Sequence, residues 1–270
     1  MNPLAILATT AALTAIIALR YLAVAGAAWV LLWRRDPARV AGRRLNAGTP
    51  TAALIRHELK LSLLSSWIYA LPAALALEAW KAGGTRIYLD PLRYGWPWLI
   101  ASGLIYLLIQ DAWYYWLHRA MHRPALFKHL HAGHHRSRRP TPFASFAFDA
   151  GEAALNAWLL PALVFVIPIH PAVLVAILMA MTVTAVLNHS GWEVLPQGLV
   201  HGPVGRWMIS ATHHDLHHTR YDRNFGLHFR LWDRLMGTDV FPTGGFSSPT
   251  LGEGDREAVE GEAASTPADG

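Results

Sequence analysis

Four long apolar stretches constrain the fold of this chain more than any other feature of its sequence. They cover residues 4–33, 61–80, 96–117 and 153–187. A helix needs about 20 predominantly apolar residues to cross a bilayer, so each stretch is long enough to cross at least once. The first stretch is too long for a removable signal peptide and lacks a basic start, so we expect it to stay in the protein. The sequence therefore predicts an all-α integral membrane protein.

The basic residues outside these stretches predict how the chain is threaded through the membrane. Lys and Arg concentrate in residues 34–60, 119–139 and 206–234, and few lie in the loop 81–95. Because basic loops favour the cytoplasmic side, we expect the three basic segments there and the N-terminus outside. The stretch 153–187 is broken by prolines near its middle and is expected to form a hairpin. We therefore attribute the net charge of +5 to these basic segments on the cytoplasmic side of the membrane, and we expect no nucleic-acid binding.

Histidines at helical spacing are the second distinctive feature. One HxxxH pair and two HxxHH motifs occur, and residues at i, i+3 and i+4 share one face of a helix. With fifteen histidines in 270 residues, chance spacing would rarely produce two HxxHH motifs, so a functional site is indicated. The histidines of these motifs are His118, His122, His131, His134, His135, His214, His217 and His218.

The absence of cysteine narrows the kind of site that these imidazoles can form. It excludes disulfides, thiolate-ligated zinc and iron–sulfur clusters bound by cysteine. Imidazole suits iron, zinc, copper and nickel. Eight convergent imidazoles exceed the four ligands of a tetrahedral zinc ion and suit two neighbouring ions instead. No Glu has the spacing that soluble di-iron bundles use, so the predicted site is built from histidine.

Three further residues are expected to act at this site. His189 follows the fourth apolar stretch as the chain returns to the cytoplasm and is expected to be a ninth ligand. Asp111 lies two helical turns before His118 and is expected to orient a ligand imidazole through its second ring nitrogen. Asp215 lies between two ligands and is expected to act in the same way. The other histidines are expected to be structural or solvated: His57, His129, His170, His201, His213 and His228.

The segment 96–239 resembles the fatty acid hydroxylase/sterol desaturase superfamily. Its histidine motifs correspond to the three boxes of that family, the first preceded by Asp111. A His-Ser-Gly-Trp element beginning at His189 is similar to one found in methylsterol oxidases. The segments that carry the resemblance are 111–122, 128–135, 188–192, 213–218, 224–226 and 232–238.

This resemblance implies a di-iron centre that uses O2 to hydroxylate or desaturate a lipid. It also implies a separate electron donor of the ferredoxin or cytochrome b5 type with its reductase, and about four transmembrane or hairpin helices capped by a cytosolic helical domain. The ligand role transfers to the eight box histidines and to His189. Residues 1–95 are then an N-terminal transmembrane region, 96–243 the catalytic domain and 244–270 a disordered tail. The expected location is a bacterial inner membrane, with the metal site on the cytoplasmic side.

Two positions depart from the family pattern. Asp149 stands where relatives often carry a His before the residue that corresponds to Glu152. Ala185 stands four residues before His189, where some hydroxylases have a second histidine. Both departures bear on the number of metal ligands.

Two other functions remain open from the sequence. A zinc-dependent membrane hydrolase is one, because zinc lowers the pKa of its bound water, although no H-E-x-x-H motif supplies a base. A metal-binding or metal-transporting membrane protein is the other. It would need ionisable residues within the spans, and only Arg20, Glu78 and Asp111 qualify. The lipid also stays open among sterols, carotenoids, fatty acyl chains and alkylglycerol ethers.

Overall fold

The computed structural model describes residues 2–35, 41–45 and 48–241, and its regular secondary structure there is helical. The described part contains isolated β-bridges but no strand, which confirms the predicted all-α class. The tail expected to be disordered lies outside the described residues. The α-helices are α1 (Pro3–Trp29), α2 (Ala52–Lys81), α3 (Gly95–Met121), α4 (Pro124–Leu130), α5 (Ala132–His135), α6 (Ala150–Ala157), α7 (Leu159–Val166), α8 (Pro171–Asn188), α9 (Gln197–Val200), α10 (Ala211–Arg220) and α11 (Leu231–Leu235).

Among the described residues, three helices are long and apolar enough to span a membrane: α1 with its π-helical extension Val30–Arg34, α2, and α8. Large apolar side chains such as Leu7 and Leu19 remain exposed on the protein surface, as is expected of a surface that faces lipid. The buried positions of α1 and α2 include small residues such as Ala25 and Ala70, which let the two neighbouring helices approach closely.

Helix α3 is not among these three, although the sequence predicted a span there. It is 27 residues long and therefore has the necessary length. Its four tryptophans and three tyrosines, together with Gln110 and Asp111, lower its hydropathy below that of the other three helices. The aromatic side chains instead combine an apolar ring with a polar atom, which suits the boundary between lipid and water.

The stretch 153–187 forms the predicted hairpin, with a break in its first arm. Helices α6 and α7 are separate eight-residue helices, and α8 returns over 18 residues. The tip packs against the loop between α2 and α3: the amide of Arg86 donates to the carbonyl of Val164 (2.8 Å), and the indole of Trp98 donates to the carbonyl of Pro168 (3.1 Å). The hairpin tip thus lies at the end of the bundle where α2 stops and α3 starts.

The short helices gather at the opposite end of the bundle. Helix α3 ends there with His122 as its C-terminal cap, and α8 ends there with His189 as its cap. The 3-10 segment Pro142–Phe146 is fastened to the bundle because the carbonyl of Phe143 accepts hydrogen bonds from the hydroxyls of Tyr21 (2.8 Å) and Ser62 (2.9 Å). All histidine motifs therefore meet at one end of the long helices, as the predicted topology requires.

Candidate metal centre

Four segments of the chain bring the predicted histidines together. His118 lies in the last turn of α3, and His189 is the residue that caps the end of α8. The first HxxHH motif occupies the short helix α5 and the residue before it, and the second lies on α10. Helix α10 begins at a capping box in which Ser210 and His213 bond each other's backbone amides. Its next residues are almost completely buried, so the helix carries the motif into the centre of the cap.

The structure brings all nine predicted imidazoles into two adjoining groups, within which the ligand nitrogens lie within 4.8 Å of one another. The ring centroids of His135 and His218, one from each group, are 4.7 Å apart. We call these the five-imidazole and the four-imidazole group. The five-imidazole group consists of His118, His122, His131, His135 and His217, and the four-imidazole group of His134, His189, His214 and His218.

The spacing of the ring nitrogens fits metal ligation. Two nitrogens bound to one ion at about 2.0–2.1 Å, at an angle of roughly 90–110°, lie about 2.8–3.4 Å apart. In the five-imidazole group the Nε2 atoms of His118 and His131 are 2.9 Å apart. In the four-imidazole group the Nε2 atoms of His189 and His214 are 2.8 Å apart, and those of His134 and His189 are 3.4 Å apart. These separations match the expected range.

Hydrogen bonds to the other ring nitrogen determine which nitrogen is free to bind a metal. Nδ1 of His118 donates to the carbonyl of Phe225 (2.9 Å), and Nδ1 of His217 donates to the carbonyl of Arg223 (2.7 Å). Nδ1 of His189 donates to its own helix at Ala185, at 2.8 Å. Because a carbonyl can only accept, Nδ1 carries the proton in each ring and Nε2 keeps its lone pair. In these three rings Nε2 is therefore the nitrogen that is free to bind a metal.

Burial keeps these imidazoles neutral. It lowers the pKa of His131 and His134 to about 3 and that of His189 to about 4, far below the ordinary histidine value. Burial and, to a smaller extent, the electrostatic effect of the neighbouring imidazoles hold the pKa of His214 and His218 well below that value. A metal binds the neutral form of histidine, so the centre is ready to take up metal ions at neutral pH.

A carboxylate that the sequence analysis did not assign supports the five-imidazole group. Glu152 Oε2 accepts a hydrogen bond from Nδ1 of His131 at 2.7 Å, and both side chains are fully buried. Burial raises the pKa of Glu152 to about 8, and the positive charge of bound ions would oppose this shift. Such carboxylate–histidine pairs orient ligands and raise their basicity. The sequence signal was present, since Glu152 corresponds to a residue of the family pattern, but nothing in the spacing linked it to His131.

The neighbouring Asp149 holds the backbone of the second box. Its Oδ2 accepts a hydrogen bond from the amide of Gly133 at 2.7 Å. A Cβ atom at position 133 would lie 2.1 Å from Oδ1 of the same carboxylate, so only glycine fits there. His57 adds a second contact, since its Nε2 donates to the carbonyl of Gly133 at 2.9 Å. The residue that departs from the family pattern thus has a definite structural role in this chain.

The structure places the carboxylate of Asp111 on backbone amides and not on an imidazole. Its Oδ1 accepts instead from the backbone amides of His228 (2.8 Å) and Phe229 (3.0 Å). The helical spacing placed Asp111 on the face of His118, but the C-terminal segment packs onto that face and its backbone amides bond the carboxylate.

Asp215 differs from its expectation too, because its Oδ1 is buried without a hydrogen-bond partner among the described residues. Burial raises its pKa to about 7, and the charge of Arg139 opposes the rise.

The C-terminal segments 224–226 and 232–238, which carry part of the family resemblance, contact the candidate metal centre through the backbone. The Asp233 carboxylate accepts from the amides of Phe225 (2.9 Å) and Gly226 (2.8 Å) and from the Thr238 hydroxyl (2.7 Å). These bonds hold the turn whose carbonyl, at Phe225, accepts from Nδ1 of His118. Asp233 therefore helps to hold the ring of His118, a predicted ligand, through the backbone of Phe225.

The other histidines lie outside the two groups, as expected. His170 caps the start of α8 at the far end of the bundle, and His129 is exposed. His213 accepts from the amide of Ser210 and stacks on Phe241, with ring centroids 4.2 Å apart. These contacts are structural.

The donor set fits two metal ions that prefer nitrogen. Every predicted ligand is an imidazole, the rings are neutral, and Nε2 of His122 is buried without a hydrogen-bond partner in the described part of the chain. Unpaired buried nitrogens are costly, and a bound ion would satisfy them. Imidazole suits both iron and zinc, so the geometry alone defines the class of metal and not its identity.

Comparison with known proteins agrees with this geometry. The family model described as fatty acid hydroxylase matches residues 103–238, which include every predicted ligand. Lathosterol oxidase of Rattus norvegicus is 35% identical over 179 residues, which cover 66% of this chain and 58% of the relative. Lathosterol oxidase of Homo sapiens is 30% identical over 203 residues, which cover 74% of this chain and 64% of the relative.

A fungal relative gives the same result. Delta(7)-sterol 5(6)-desaturase ERG3B of Gibberella zeae is 28% identical, and the match covers 70% of this chain and 58% of that protein. The chain thus spans less than two thirds of the length of these relatives. No solved structure matches the chain. These relatives are mammalian and fungal, so they lend no support to the predicted bacterial inner membrane. The match over half of its length confirms that the chain belongs to the fatty acid hydroxylase/sterol desaturase superfamily.

Proposed function

We propose that this chain is a membrane-bound di-iron oxygenase that uses O2 and external electrons to hydroxylate or desaturate a lipid. The observation that carries the proposal is the division of nine imidazoles into two adjoining groups. Five and four nitrogen ligands suit two ions, whereas a structural zinc ion takes four ligands in all. Membership of the superfamily supports iron as the metal.

The chain's own side chains would hold and orient the two ions. The five-imidazole group would bind one ion and the four-imidazole group the other, each through Nε2 atoms whose rings are held by bonds at Nδ1. Glu152 would raise the basicity of His131. Bound iron supplies the activation of O2. Eight of the nine rings are buried, so these residues would keep water away from bound ions and limit side reactions.

A sterol-like lipid is the substrate class that the relatives favour. Their names describe oxidation or desaturation of sterols. An apolar groove of about 440 Å3 runs along the outer face of α3, towards the end at which the histidines lie. It is lined by Ile109, Ala112, Trp113, Trp116 and Leu117. An apolar molecule in the bilayer could follow this groove to the metal centre.

The orientation in the membrane follows from charge. The segments that surround the metal centre, 119–139 and 206–234, are basic, and the loop 81–95 at the other end carries fewer basic residues. Basic segments favour the cytoplasmic side, so we assign the metal centre to that side. Electrons would then come from a separate cytoplasmic donor.

Metal content per chain tests the proposal. Wild-type protein purified without oxygen or chelator should hold two irons per chain. His217→Ala removes a member of the five-imidazole group and His134→Ala a member of the four-imidazole group, so each should lower the iron content towards one. His129→Ala is the matched control, because this exposed residue adjoins the second box but belongs to neither group.

Oxygen consumption with reductant and a sterol would then test the reaction. Stable zinc with no uptake of iron, together with no consumption of O2, would contradict the proposal and favour the zinc-dependent hydrolase. Loss of metal in His129→Ala to the same degree as in His134→Ala would contradict the assignment of the ligands.

A further inference from the structure

One ligand imidazole connects the metal centre to the surface. Of the nine imidazoles in the two groups, eight are buried and only His122 is partly exposed. It lines a cleft of about 1010 Å3 at the end of α3. The ring of His122 is 4.7 Å from that of His217 and 4.9 Å from that of His131, measured between centroids. His122 therefore joins the cleft to the five-imidazole group.

The walls of this cleft are aromatic near His122. The ring centroids of Phe225 and Phe127 lie 5.2 Å and 5.4 Å from that of His122, and the ring of Tyr221 lies 6.4 Å away. A redox group that reached the floor of the cleft would be separated from the metal centre by a single imidazole ring. Electron transfer becomes much slower as distance increases, so this is a short path from the surface to the ions.

The rim of the cleft is basic. Arg119, Arg123 and Lys128 line it, and Asp222 is the one acidic residue among its described lining residues. Arg123 and Lys128 are exposed, whereas Arg119 is partly buried and donates to the hydroxyl of Tyr115 at 3.1 Å. Asp222 is itself paired with Arg223, whose Nε lies 3.4 Å from the carboxylate. A surface of this charge attracts an acidic partner and raises the rate of encounter.

We propose that this cleft is the docking site of an acidic one-electron carrier protein, whose electrons enter the metal centre through His122. The proposal rests on the proposed function. Hydroxylation consumes one O2, two electrons and two protons, and yields one hydroxyl group and one water. Desaturation consumes the same reductant and yields two waters. A one-electron carrier must dock twice in each turnover and leave in between, which suits attraction by exposed charges that bind and release quickly.

Charge reversal at the rim tests this docking site. The variant Arg123→Glu/Lys128→Glu changes two exposed cleft residues and no predicted metal ligand. The matched control is Arg56→Glu/Lys60→Glu, two exposed residues of α2 outside the cleft. Both double variants are placed in bilayers of neutral phosphatidylcholine. The probes are a [2Fe–2S] ferredoxin and the haem domain of a cytochrome b5, each chosen for its negative net charge.

We expect the cleft variant to weaken carrier binding and raise the carrier KM by about tenfold or more, with the control unchanged. Raising the salt concentration should slow the wild-type reaction and not the cleft variant. Carrier affinity is also measured on metal-free protein, so this readout does not depend on turnover. Reduction of the iron by dithionite should be equal in all variants. Its failure in wild type would contradict the proposed function and not the docking site.

Two results would overturn the docking site. The first is equal carrier affinity in the cleft variant and the control. The second is an increase in the KM for the lipid in the cleft variant while the carrier KM stays constant, which would make the cleft a lipid site.

Discussion

Glu152 Oε2 accepts a hydrogen bond from Nδ1 of His131 at 2.7 Å, although Glu152 lies on α6 and His131 lies between α4 and α5. The carboxylate raises the basicity of the imidazole and orients its Nε2 towards the five-imidazole group. We expect Glu152→Gln to weaken metal binding by about 10- to 100-fold, measured by competition with a chelator. The control is Glu58→Gln, a buried carboxylate that bonds Thr141 and no predicted ligand. Equal metal affinity in the two variants would contradict this role.

The close approach of Asp149 to Gly133 predicts a strong effect of one added methyl group. Gly133→Ala would place a Cβ 2.1 Å from the carboxylate and force the second box to move. Overpacking of this kind costs about 1–3 kcal/mol of unfolding free energy, so we expect a lower thermal midpoint and a loss of metal. Gly198→Ala is the matched control, because nothing lies within 4 Å of its Cβ position. Adding Asp149→Ala to Gly133→Ala removes the clash and should recover part of the stability. No recovery would argue against the steric explanation.

The link from Asp233 to His118 through the Phe225 carbonyl predicts an effect at a distance. Asp233→Asn keeps the shape of the side chain but cannot accept on both oxygens from Phe225, Gly226 and Thr238. We expect faster loss of metal from the five-imidazole group. We also expect the free energy of unfolding to fall by about 1–3 kcal/mol. Asp222→Asn, an exposed residue, should change neither quantity. A variant that unfolds more easily but releases metal at the wild-type rate would show that Asp233 serves stability alone.

The low pKa values of the buried imidazoles predict how the stability of the metal-free protein depends on pH. Burial lowers the pKa of His131 and His134 to about 3, so the folded protein binds no proton at these rings near pH 5. The unfolded chain does bind protons there below its ordinary pKa of about 6.5, so stability falls as pH falls. Each ring contributes up to about 1.4 kcal/mol per pH unit, from about pH 6.5 down to the folded pKa.

Thermal unfolding of metal-free protein in detergent at several pH values checks this dependence. His134→Gln should make the dependence on pH weaker, whereas His129→Gln, at an exposed position, should leave it as it is in wild type. The same slope in wild type and His134→Gln would mean that the His134 ring is not held neutral in the fold.

Metal removal gives a further expectation. Ions that bind the folded chain and not the unfolded one stabilise it by an amount set by their concentration and affinity, about 4 kcal/mol at 1,000 times the Kd. A chelator should therefore lower the thermal midpoint of the wild-type protein by several degrees. In a variant that lacks His134 and His217 it should have little effect, because both groups are then incomplete. An unchanged midpoint in wild type would contradict a structural contribution of the ions.

The sequence by itself determined the membrane character of the chain and the identity of its nine converging imidazoles. Both properties are local. A run of apolar residues makes a span whatever surrounds it, and residues at i, i+3 and i+4 face the same way on any helix. The signature segment from Asn224 to Thr238 was recognisable for the same reason, although the role of Asp233 within it was not.

Only the tertiary structure decided how the imidazoles divide. Each HxxHH motif contributes to both groups, since His134 is separated from His135, and His217 from His218. Spacing along one helix cannot reveal this division, because it depends on which neighbouring helix packs against each side of the motif. The same limit explains the two carboxylates. Sequence proximity favoured Asp111, but the contact with an imidazole is made by Glu152, which lies 21 residues from His131 and reaches it only through the packing of the cap.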